Sequence, residues 1–172
     1  MAQSNYIFQT DRLGVREITQ KDTAFIIAIL NTPGWLRYIG NRNVNTEKQA
    51  KKYIKEGPVK SYKDNGYGLW MVVRKEDELA IGTCGILKRT NLSTPDIGFA
   101  FLPEFNGKAY AFEIATATLA YAKCHLNIPV VSAITVPDNK RSIRLLEKLG
   151  LKYIETIYLT GEKENLLLYR SS

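Results

Sequence analysis

The chain is 172 residues long, and its 45% hydrophobic and 24% charged residues are typical of one ordinary globular domain, which we expect to span residues 1–172. Lys and Arg number 24 against 17 Asp and Glu, and the net charge of +7 favours an anionic ligand such as a nucleotide, although RNA or an acidic surface would suit it equally. The 2 cysteines are too few to staple such a domain, and the single histidine, His125, excludes a His-rich metal site, so we expect no metal cofactor.

The amino-terminal residues lack the apolar core of a signal peptide. No uncharged apolar run approaches the ~18 residues that a membrane-spanning helix needs. We therefore expect a cytoplasmic protein with no membrane partner.

The first half of the chain predicts a strand, helices and a hairpin. Thr19 is the expected cap of the first helix, which Pro33-Gly34 ends. An acidic tip over 76–78 joins the two strands of the hairpin. In chain order, the predicted elements are a strand over 7–18, a helix over 21–30, a helix from Thr46, and strands over 69–74 and 79–87.

Residues 35–42 mix aromatic and basic side chains in what we expect to be a loop. The wider segment 33–45, with Trp35 and Tyr38, could form a lip that contacts a substrate. Trp35 and Ile39 could equally fill the core, because buried aromatic side chains are common. The sequence leaves both interpretations open.

The second half predicts strands that alternate with two helices. Asp138 is the expected cap of the later helix, Leu146 lies on its buried side, and Gly150 ends it. In chain order, the predicted elements are a strand over 96–102, a helix after Gly107 with a buried stripe of Phe112, Ala115, Leu119 and Ala122, a strand over 129–136, the later helix, and strands over 151–159 and 165–169.

The connection from the strand at 96–102 to the long helix has the features of an anion site. Gly107 supplies a backbone without a Cβ, and Ala109 keeps the next turn small. The helix that follows points its unpaired N–H groups and the positive end of its dipole at the same place. An ordinary turn with no ligand would have the same local pattern, so the spacing alone does not decide.

Three segments in order resemble one family. Residues 102–111, LPEFNGKAYA, resemble the acetyl-CoA pyrophosphate loop of the GNAT superfamily of N-acetyltransferases, Gln/Arg-x-x-Gly-x-Gly/Ala. Residues 137–151 resemble the Asn-x-x-Ser-x-x-Leu-x-Glu-Lys-x-Gly-Phe helix of its RimJ/RimL branch, the ribosomal-protein amino-terminal acetyltransferases, and residues 10–17 resemble the Thr-x-Arg-Leu-x-Leu-Arg strand that opens that branch. Together the three segments span nearly the whole chain, and they are specific where each alone is not.

The resemblance implies an α/β fold of the GNAT type. Its central sheet would be mixed and mostly antiparallel, with six or seven strands and helices on both faces, and it would split between strands 4 and 5, here 96–102 and 129–136. Coenzyme A would lie in the split, with its pantetheine paired to the backbone of 99–102 and its pyrophosphate on the glycine loop. The implied cofactor-binding residues are Phe99, Phe101, Leu102, Gly107, Lys108, Ala109, Tyr110, Ala111, Asn139, Ser142 and Lys148.

The sequence departs from the family pattern at the first position of the loop motif, and the role of one implied contact is open. Glu104 stands where Gln or Arg is usual, which removes a cation but leaves the backbone donors. Lys148 could reach the nucleotide or could be an ordinary surface lysine.

The resemblance also implies direct transfer of an acetyl group to a neutral amine. An α-amino group with a pKa of ~7.7 to 8.0 is partly neutral at pH 7, whereas a lysine with a pKa of ~10.4 is almost entirely charged, so an amino-terminal acceptor needs less help from a base. Many members place Tyr at Leu146 to protonate the departing thiolate, and leucine cannot do so. Ser142 is our candidate acid, Asp96 our first candidate base and Glu155 our second.

These features predict an acetyl-CoA-dependent N-acetyltransferase whose preferred acceptor is a protein amino terminus. The alternatives are a small-molecule amine, such as a polyamine, an aminoglycoside or an amino acid, and a non-catalytic acyl-CoA sensor. A specific nucleic-acid partner is disfavoured because aromatic residues do not alternate with Lys and Arg along any one strand. The oligomeric state stays open, with a homodimer among the options.

Overall fold

In the computed structural model, which describes residues 5–162 and 164–172, eight strands form one sheet with helices on both faces. The strands are β1 (Phe8–Gln9), β2 (Leu13–Arg16), β3 (Leu69–Arg74), β4 (Leu79–Leu87), β5 (Asp96–Phe101), β6 (Ser132–Thr135), β7 (Lys152–Ile157) and β8 (Leu166–Arg170). The helices are α1 (Thr23–Leu30), α2 (Pro33–Tyr38), α3 (Glu47–Ile54), α4 (Lys60–Asn65), α5 (Tyr110–His125) and α6 (Lys140–Lys148). A π-helical turn over Lys55–Val59 joins α3 to α4, and a 3₁₀ turn over Pro103–Phe105 precedes α5.

The sheet has the order β1-β2-β3-β4-β5-β6-β8-β7. Neighbouring strands run antiparallel except β5 and β6, which are parallel and share the single register pair Asp96–Ser132 before they diverge. This confirms the predicted mixed, mostly antiparallel sheet. The strand count is eight rather than six or seven, because residues 7–18 form the hairpin β1–β2 instead of one strand.

The two faces of the sheet carry separate hydrophobic clusters. Trp70 and Val72 belong to the cluster that includes Ile114 of α5. Met71 and Val73, the alternate residues of β3, belong to the cluster formed with α1 and α3. Since successive side chains of a strand point to opposite faces, this alternation confirms that helices cover both faces.

The segment expected to be a loop over 35–42 is partly helical. Thr32 caps α2 by accepting a hydrogen bond from the N–H of Trp35, and Pro33 occupies the first turn. Proline is favoured there because its missing N–H would have had no helical partner. Pro33-Gly34 therefore begins a second helix as well as following the end of the first.

The caps of two other helices differ from the prediction by a few residues. Asn139, not Asp138, caps α6, and Asp138 forms an exposed ion pair with Arg37 at 2.9 Å. Asp22, not Thr19, is the cap residue of α1, and its carboxylate binds Arg16 and the N–H of Thr19 instead of the helix. In each case two nearby polar residues could cap the helix. The residue that does so depends on contacts with other parts of the chain, such as the ion pair of Asp138 with Arg37.

Several other predicted boundaries are confirmed. Thr46 caps α3 in a reciprocal capping box with Gln49, and Gly150 has the left-handed φ of +87° that ends α6. Among the described residues, none of the helices combines the length and the apolar character needed to cross a bilayer.

Candidate active site

The divergence of β5 from β6 leaves one edge of β5 facing an open split. At the end of the split where β5 and β6 still pair, the N–H of Ser132 donates to the carbonyl of Pro95 at 2.8 Å. Because the backbone groups of successive strand residues face opposite edges, the odd-numbered residues of β5 also direct theirs towards β6. The N–H groups and carbonyls of Phe99 and Phe101 therefore face the split, as predicted for pairing with an extended ligand.

Leu102 does not share this property. Its N–H donates to the carbonyl of Ile81 at 3.0 Å, and its carbonyl accepts from the N–H of Phe105 at 3.0 Å. Both backbone groups thus have a partner within the chain. A carbonyl oxygen can accept two hydrogen bonds, and the pairing of Leu102 with pantetheine stays a prediction.

The loop before α5 forms an open cradle. Gly107 has a φ of +76°, and a Cβ built there would have no atom within 4 Å, so space for a ligand lies directly over this backbone. Ala109, the cap residue of α5, has a φ of 62° in the left-handed region, which is uncommon for a residue with a Cβ. The free N–H groups of the 16-residue helix α5 begin at this point. These features fit a pyrophosphate group.

Arg12 of the opening hairpin holds this loop from behind. Its NH2 atom donates to the carbonyl of Lys108 at 3.1 Å, and its Nε donates to Glu113 of α5 at 2.7 Å. Thr10 also donates to Glu113, at 2.6 Å. Burial alone would raise the pKa of Glu113, but these hydrogen bonds outweigh it and lower the pKa, so the carboxylate stays ionised beside Arg12.

The side chains predicted around the loop have different surroundings. The Tyr110 ring is 8% exposed and lies under the guanidinium of Arg12, 4.4 Å from its carbon, so Tyr110 offers the loop only its backbone. The ammonium of Lys108 lies 5.7 Å from the centre of the Phe105 ring. The ammonium of Lys148 lies 4.2 Å from the centre of the Phe112 ring, in the first turn of α5, which places a cation beside the cradle.

Two cavities meet at the mouth of the split. The larger, with a volume of about 380 Å³, extends from the split to the end of β4, and the smaller, of about 190 Å³, extends along β5 to Asn106 and Ala111 at the glycine loop. The residues that line both cavities are Trp35, Tyr38, Ile39, Phe99, Asn139 and Ser142. The junction thus brings the loop at 33–45, β5 and the start of α6 to one place.

The interpretation of Trp35 as a core residue is confirmed, whereas that of Ile39 is wrong, since Ile39 is 38% exposed. Contact of this segment with a substrate stays a prediction. Trp35 is 8% exposed and belongs to the hydrophobic cluster of α1 and α3, while it also lines both cavities. Tyr38 and Ile39 line the same junction.

The first turn of α6 places a hydroxyl at the junction. The side chain of Asn139 accepts a hydrogen bond from the N–H of Ser142 at 3.2 Å, which fixes the start of the helix. Leu146, one turn further along, is 1% exposed and lines the larger cavity. Within α6, Ser142 is therefore the proton-donating side chain that lines both cavities.

Asp96 lies in the wall of the larger cavity and is fully buried. Its Oδ1 accepts a hydrogen bond from Nε of Arg89 at 2.9 Å, and its Oδ2 has no partner among the described residues. Burial raises the pKa of Asp96, and Arg89 opposes this only in part. Glu155, the second candidate base, is exposed on β7 and lines neither cavity, so the structure does not bring it to the site.

Sequence reasoning missed several polar residues of the larger cavity. Thr83 on β4 is 1% exposed, and its hydroxyl has no partner among the described residues. Lys88 and Arg89 also line this cavity, and so do Glu162 and Arg42, of which Arg42 belongs to the predicted lip over 33–45. No motif links them, because the sheet topology and the loops gather them from three separate regions of the sequence. Within the described part of the chain, no group of three or more His, Cys, Asp or Glu side chains could hold a metal ion.

Comparison with known proteins agrees with this geometry. The family model described as Acetyltransferase (GNAT) domain matches residues 12–152. The chain is 30% identical to the uncharacterized protein YkkB of Bacillus subtilis over 151 residues, 86% of each chain. It is 32% identical to the uncharacterized N-acetyltransferase YnaD of the same organism over 143 residues, 83% of this chain and 81% of the relative.

Solved structures show the same fold. The ribosomal-protein-S5-alanine acetyltransferase of Vibrio fischeri superposes with a TM-score of 0.78 at 21% identity, over 95% of this chain and 94% of the other. The spermidine N-acetyltransferase of Vibrio cholerae, in complex with CoA and spermine, superposes with a TM-score of 0.76 at 16% identity, over 94% and 95% of the two chains.

Proposed function

Since the chain belongs to the acetyltransferase (GNAT) family and is an N-acetyltransferase, we propose that it transfers the acetyl group of acetyl-CoA directly to a primary amine held in the larger cavity. The observation that carries this proposal is the junction of the two cavities at Phe99, Asn139 and Ser142. A cofactor arm in the smaller cavity and an amine in the larger would meet there.

The residues of the smaller cavity and the loop fit coenzyme A. The backbones of Phe99 and Phe101 would bind the pantetheine, and the cradle over Gly107 would bind the pyrophosphate. Acetyl-CoA supplies an acetyl thioester, which is already activated for transfer to an amine. The remaining proposed contacts are Lys108, the backbone N–H groups of Ala109, Tyr110 and Ala111, the side chains of Asn139 and Ser142, and Lys148 beside Phe112.

The residues at the junction can each assist the transfer. The backbone N–H of Phe99 can stabilise negative charge that develops on the acetyl oxygen. The hydroxyl of Ser142 can give a proton to the departing thiolate, a role that Leu146 cannot fill. Asp96 can accept a proton from the ammonium of the acceptor, and its raised pKa brings it closer to the range in which a carboxylate is an effective base.

Two acceptor classes fit the proposal. A protein amino terminus suits the argument from neutral amines, and one fold neighbour is named for acetylation of a ribosomal protein alanine. A small-molecule amine suits the larger cavity, because about 380 Å³ is within the usual range of small-molecule sites and both the loop at 33–45 and Glu162 contribute to its wall. A non-catalytic acyl-CoA sensor would need the smaller cavity but not the larger.

Release of free CoA thiol from acetyl-CoA, measured with a panel of amino-terminal peptides and small amines, tests the proposal. We expect release that depends on one acceptor class, and we expect Ser142→Ala to lower kcat by about 10-fold to 100-fold. The dissociation constant of CoA should rise by no more than about 10-fold, the effect of one lost neutral hydrogen bond, and Ser142→Thr, which keeps the hydroxyl, should retain more activity. CoA binding with no release for any acceptor would instead favour the sensor.

A further inference from the structure

The larger cavity has an unusual balance of charge for a site that receives an amine. Its cationic side chains are Arg42, Lys88 and Arg89, and its acidic side chains are Asp96 and Glu162. Arg89 and Asp96 form an ion pair with each other, so these two charges largely cancel. Of the described lining residues, Arg42 and Lys88 are then opposed by Glu162 alone.

One uncharged polar group of the wall favours the same kind of ligand. Nε1 of Trp35 is buried and has no hydrogen-bond partner among the described residues. An indole N–H can only donate, so its partner must be an acceptor atom and cannot be an ammonium group. The hydroxyl of Thr83, buried and without a described partner, can donate or accept a hydrogen bond, so it does not discriminate between an anion and an ammonium group.

A buried donor without a hydrogen-bond partner costs free energy, and a ligand that accepts its hydrogen bond binds more tightly because it removes this cost. A polyamine would bring further ammonium groups close to Arg42 and Lys88 and would leave Trp35 without a partner. A carboxylate or a phosphate would pair with the cations and could accept hydrogen bonds from the donors. The cavity therefore favours an acceptor with one amine and at least one anionic group.

We propose that the acceptor is a small primary amine that also carries an anionic group, a carboxylate or a phosphate ester, and that Arg42 and Lys88 bind this group. This inference rests on the proposed function, since it names the amine that the larger cavity receives. It selects amino acids and related compounds over polyamines and aminoglycosides, and it places the anion on the side of the cavity formed by the end of β4 and the segment after α2.

Matched pairs of compounds test the inference. L-serine and ethanolamine differ by a carboxylate, O-phosphoethanolamine and ethanolamine differ by a phosphate, and L-phenylalanine and 2-phenylethylamine repeat the first comparison with a larger side chain. Spermidine serves as the polycation. Two quantities are measured for each compound: kcat/KM from release of CoA thiol, and the dissociation constant from calorimetry with the CoA-bound protein, which does not depend on turnover.

We expect the anionic member of at least one pair to be preferred by about 10-fold or more, because two partly exposed ion pairs are together worth roughly one factor of ten. The carboxylate and phosphate arms show which anion is preferred. Equal or better use of the decarboxylated compounds, or a preference for spermidine, would overturn the inference.

The double variant Arg42→Gln/Lys88→Gln locates the effect. It should remove most of the preference for the anionic compound while it changes kcat/KM for ethanolamine or 2-phenylethylamine by less than about 3-fold. Lys123→Gln/Lys152→Gln, which also removes two positive charges and changes exposed positions outside both cavities, is the control for loss of net charge. An equal loss for both members of a pair, or the same loss in the control, would contradict the assignment to Arg42 and Lys88.

The two measurements separate this inference from the proposed function. If no compound is acetylated but anionic amines bind more tightly than their decarboxylated partners, and the double variant loses this difference, the cavity assignment is supported while the transfer reaction is not. If acetylation proceeds with no preference for an anion, the function is supported and this inference is wrong. Absence of binding by all anionic compounds also counts against it.

Discussion

The guanidinium of Arg12 donates a hydrogen bond to the backbone carbonyl of Lys108 at 3.1 Å, across 96 positions of sequence. In a trans peptide the carbonyl and the following N–H point in opposite directions, so a carbonyl held towards Arg12 directs the N–H of Ala109 away from it. The opening strand thereby fixes the orientation of one peptide of the glycine loop. This gives a physical reason for an arginine in the first motif of the chain.

Replacement of Arg12 by Gln should weaken the binding of acetyl-CoA more than it slows transfer. The loop would lose the contact that orients its peptide, and Glu113 would lose its charged partner while it keeps the hydrogen bond from Thr10. We expect KM for acetyl-CoA to rise by about 10-fold, in proportion to a lost charge-assisted hydrogen bond, with kcat within about 2-fold. Steady-state kinetics and the dissociation constant of CoA check both values.

A purely structural role for Arg12 would give a different result. It would lower the melting temperature and the active fraction without a selective rise in KM. Arg12→Lys, which keeps the charge, should recover part of the affinity, and Lys152→Gln on the exposed edge strand β7 is the control for net charge. An unchanged KM in Arg12→Gln would contradict the positioning role.

Gly107 tests the anion site directly. Gly107→Glu and Gly107→Gln introduce side chains of nearly the same shape at a φ of +76°, so they share the backbone strain and differ in charge. Because open space lies over this position, neither should unfold the protein. We expect Glu to weaken CoA binding at least about 10-fold more than Gln, since a carboxylate would repel the pyrophosphate.

Calorimetric titration with CoA and thermal unfolding of both variants provide the measurement. Equal affinities of the Glu and Gln variants would mean that no anion binds over this residue. The comparison does not depend on knowing the acceptor.

Ala109 should be replaceable by glycine with a gain in stability. A left-handed conformation costs a residue with a Cβ roughly 1 to 2 kcal/mol, part of which glycine loses again through backbone entropy. We expect the free energy of unfolding of Ala109→Gly to rise by about 0.5 to 1 kcal/mol in denaturant titrations. Ala120→Gly changes an exposed position inside α5, and its free energy of unfolding should instead fall by about 1 kcal/mol. If the free energy of unfolding falls in both variants, the backbone of Ala109 is not strained.

The sequence predicts the parts of this site that depend on local geometry. Gly107, Gly150 and the cap of α3 act through the conformation of their own backbone, so a short motif contains the needed information. The hairpin strands β3 and β4 were predicted with the bounds that the structure has, because two apolar runs and the acidic turn between them are also local.

Apart from the segment 33–45, the wall of the larger cavity could not be predicted in this way. Arg42 follows α2, Lys88 follows β4, and Glu162 lies between β7 and β8, so only the sheet order and the loops bring them together. The hydrogen bonds of Leu102 to Ile81 and Phe105, which set it apart from Phe99 and Phe101, are likewise revealed by no residue pattern. Glu155 was misplaced for a related reason, since the side of β7 that it occupies is set by pairing with β8.

The buried carboxylate of Asp96 predicts a conflict between stability and activity. Because burial raises the folded-state pKa of Asp96 above its unfolded value, the folded protein binds this proton more tightly. The carboxyl group therefore favours folding most at pH values below its unfolded pKa, and this contribution is lost as the pH rises through the folded pKa. Asp96→Asn, which cannot ionise, should raise the free energy of unfolding at pH 7 by about 1 kcal/mol.

The gain should disappear in acid, where Asp96 itself is protonated, and Asp22→Asn should show the opposite sign. Burial alone would raise the pKa of Asp22, but hydrogen bonds from Arg16 and the N–H of Thr19 outweigh it and lower the pKa, so its ionised form stabilises the fold above the unfolded pKa. Denaturant titrations of both variants from acid to neutral pH provide the test of stability.

The activity of Asp96→Asn is a second measurement. Its kcat should fall by at least about 10-fold if the carboxylate accepts the proton of the acceptor. Full activity of Asp96→Asn would show that Asp96 takes no part in the reaction. A loss of stability of Asp96→Asn at pH 7 as large as that of Asp22→Asn would show that the ion pair between Asp96 and Arg89 outweighs the effect of burial.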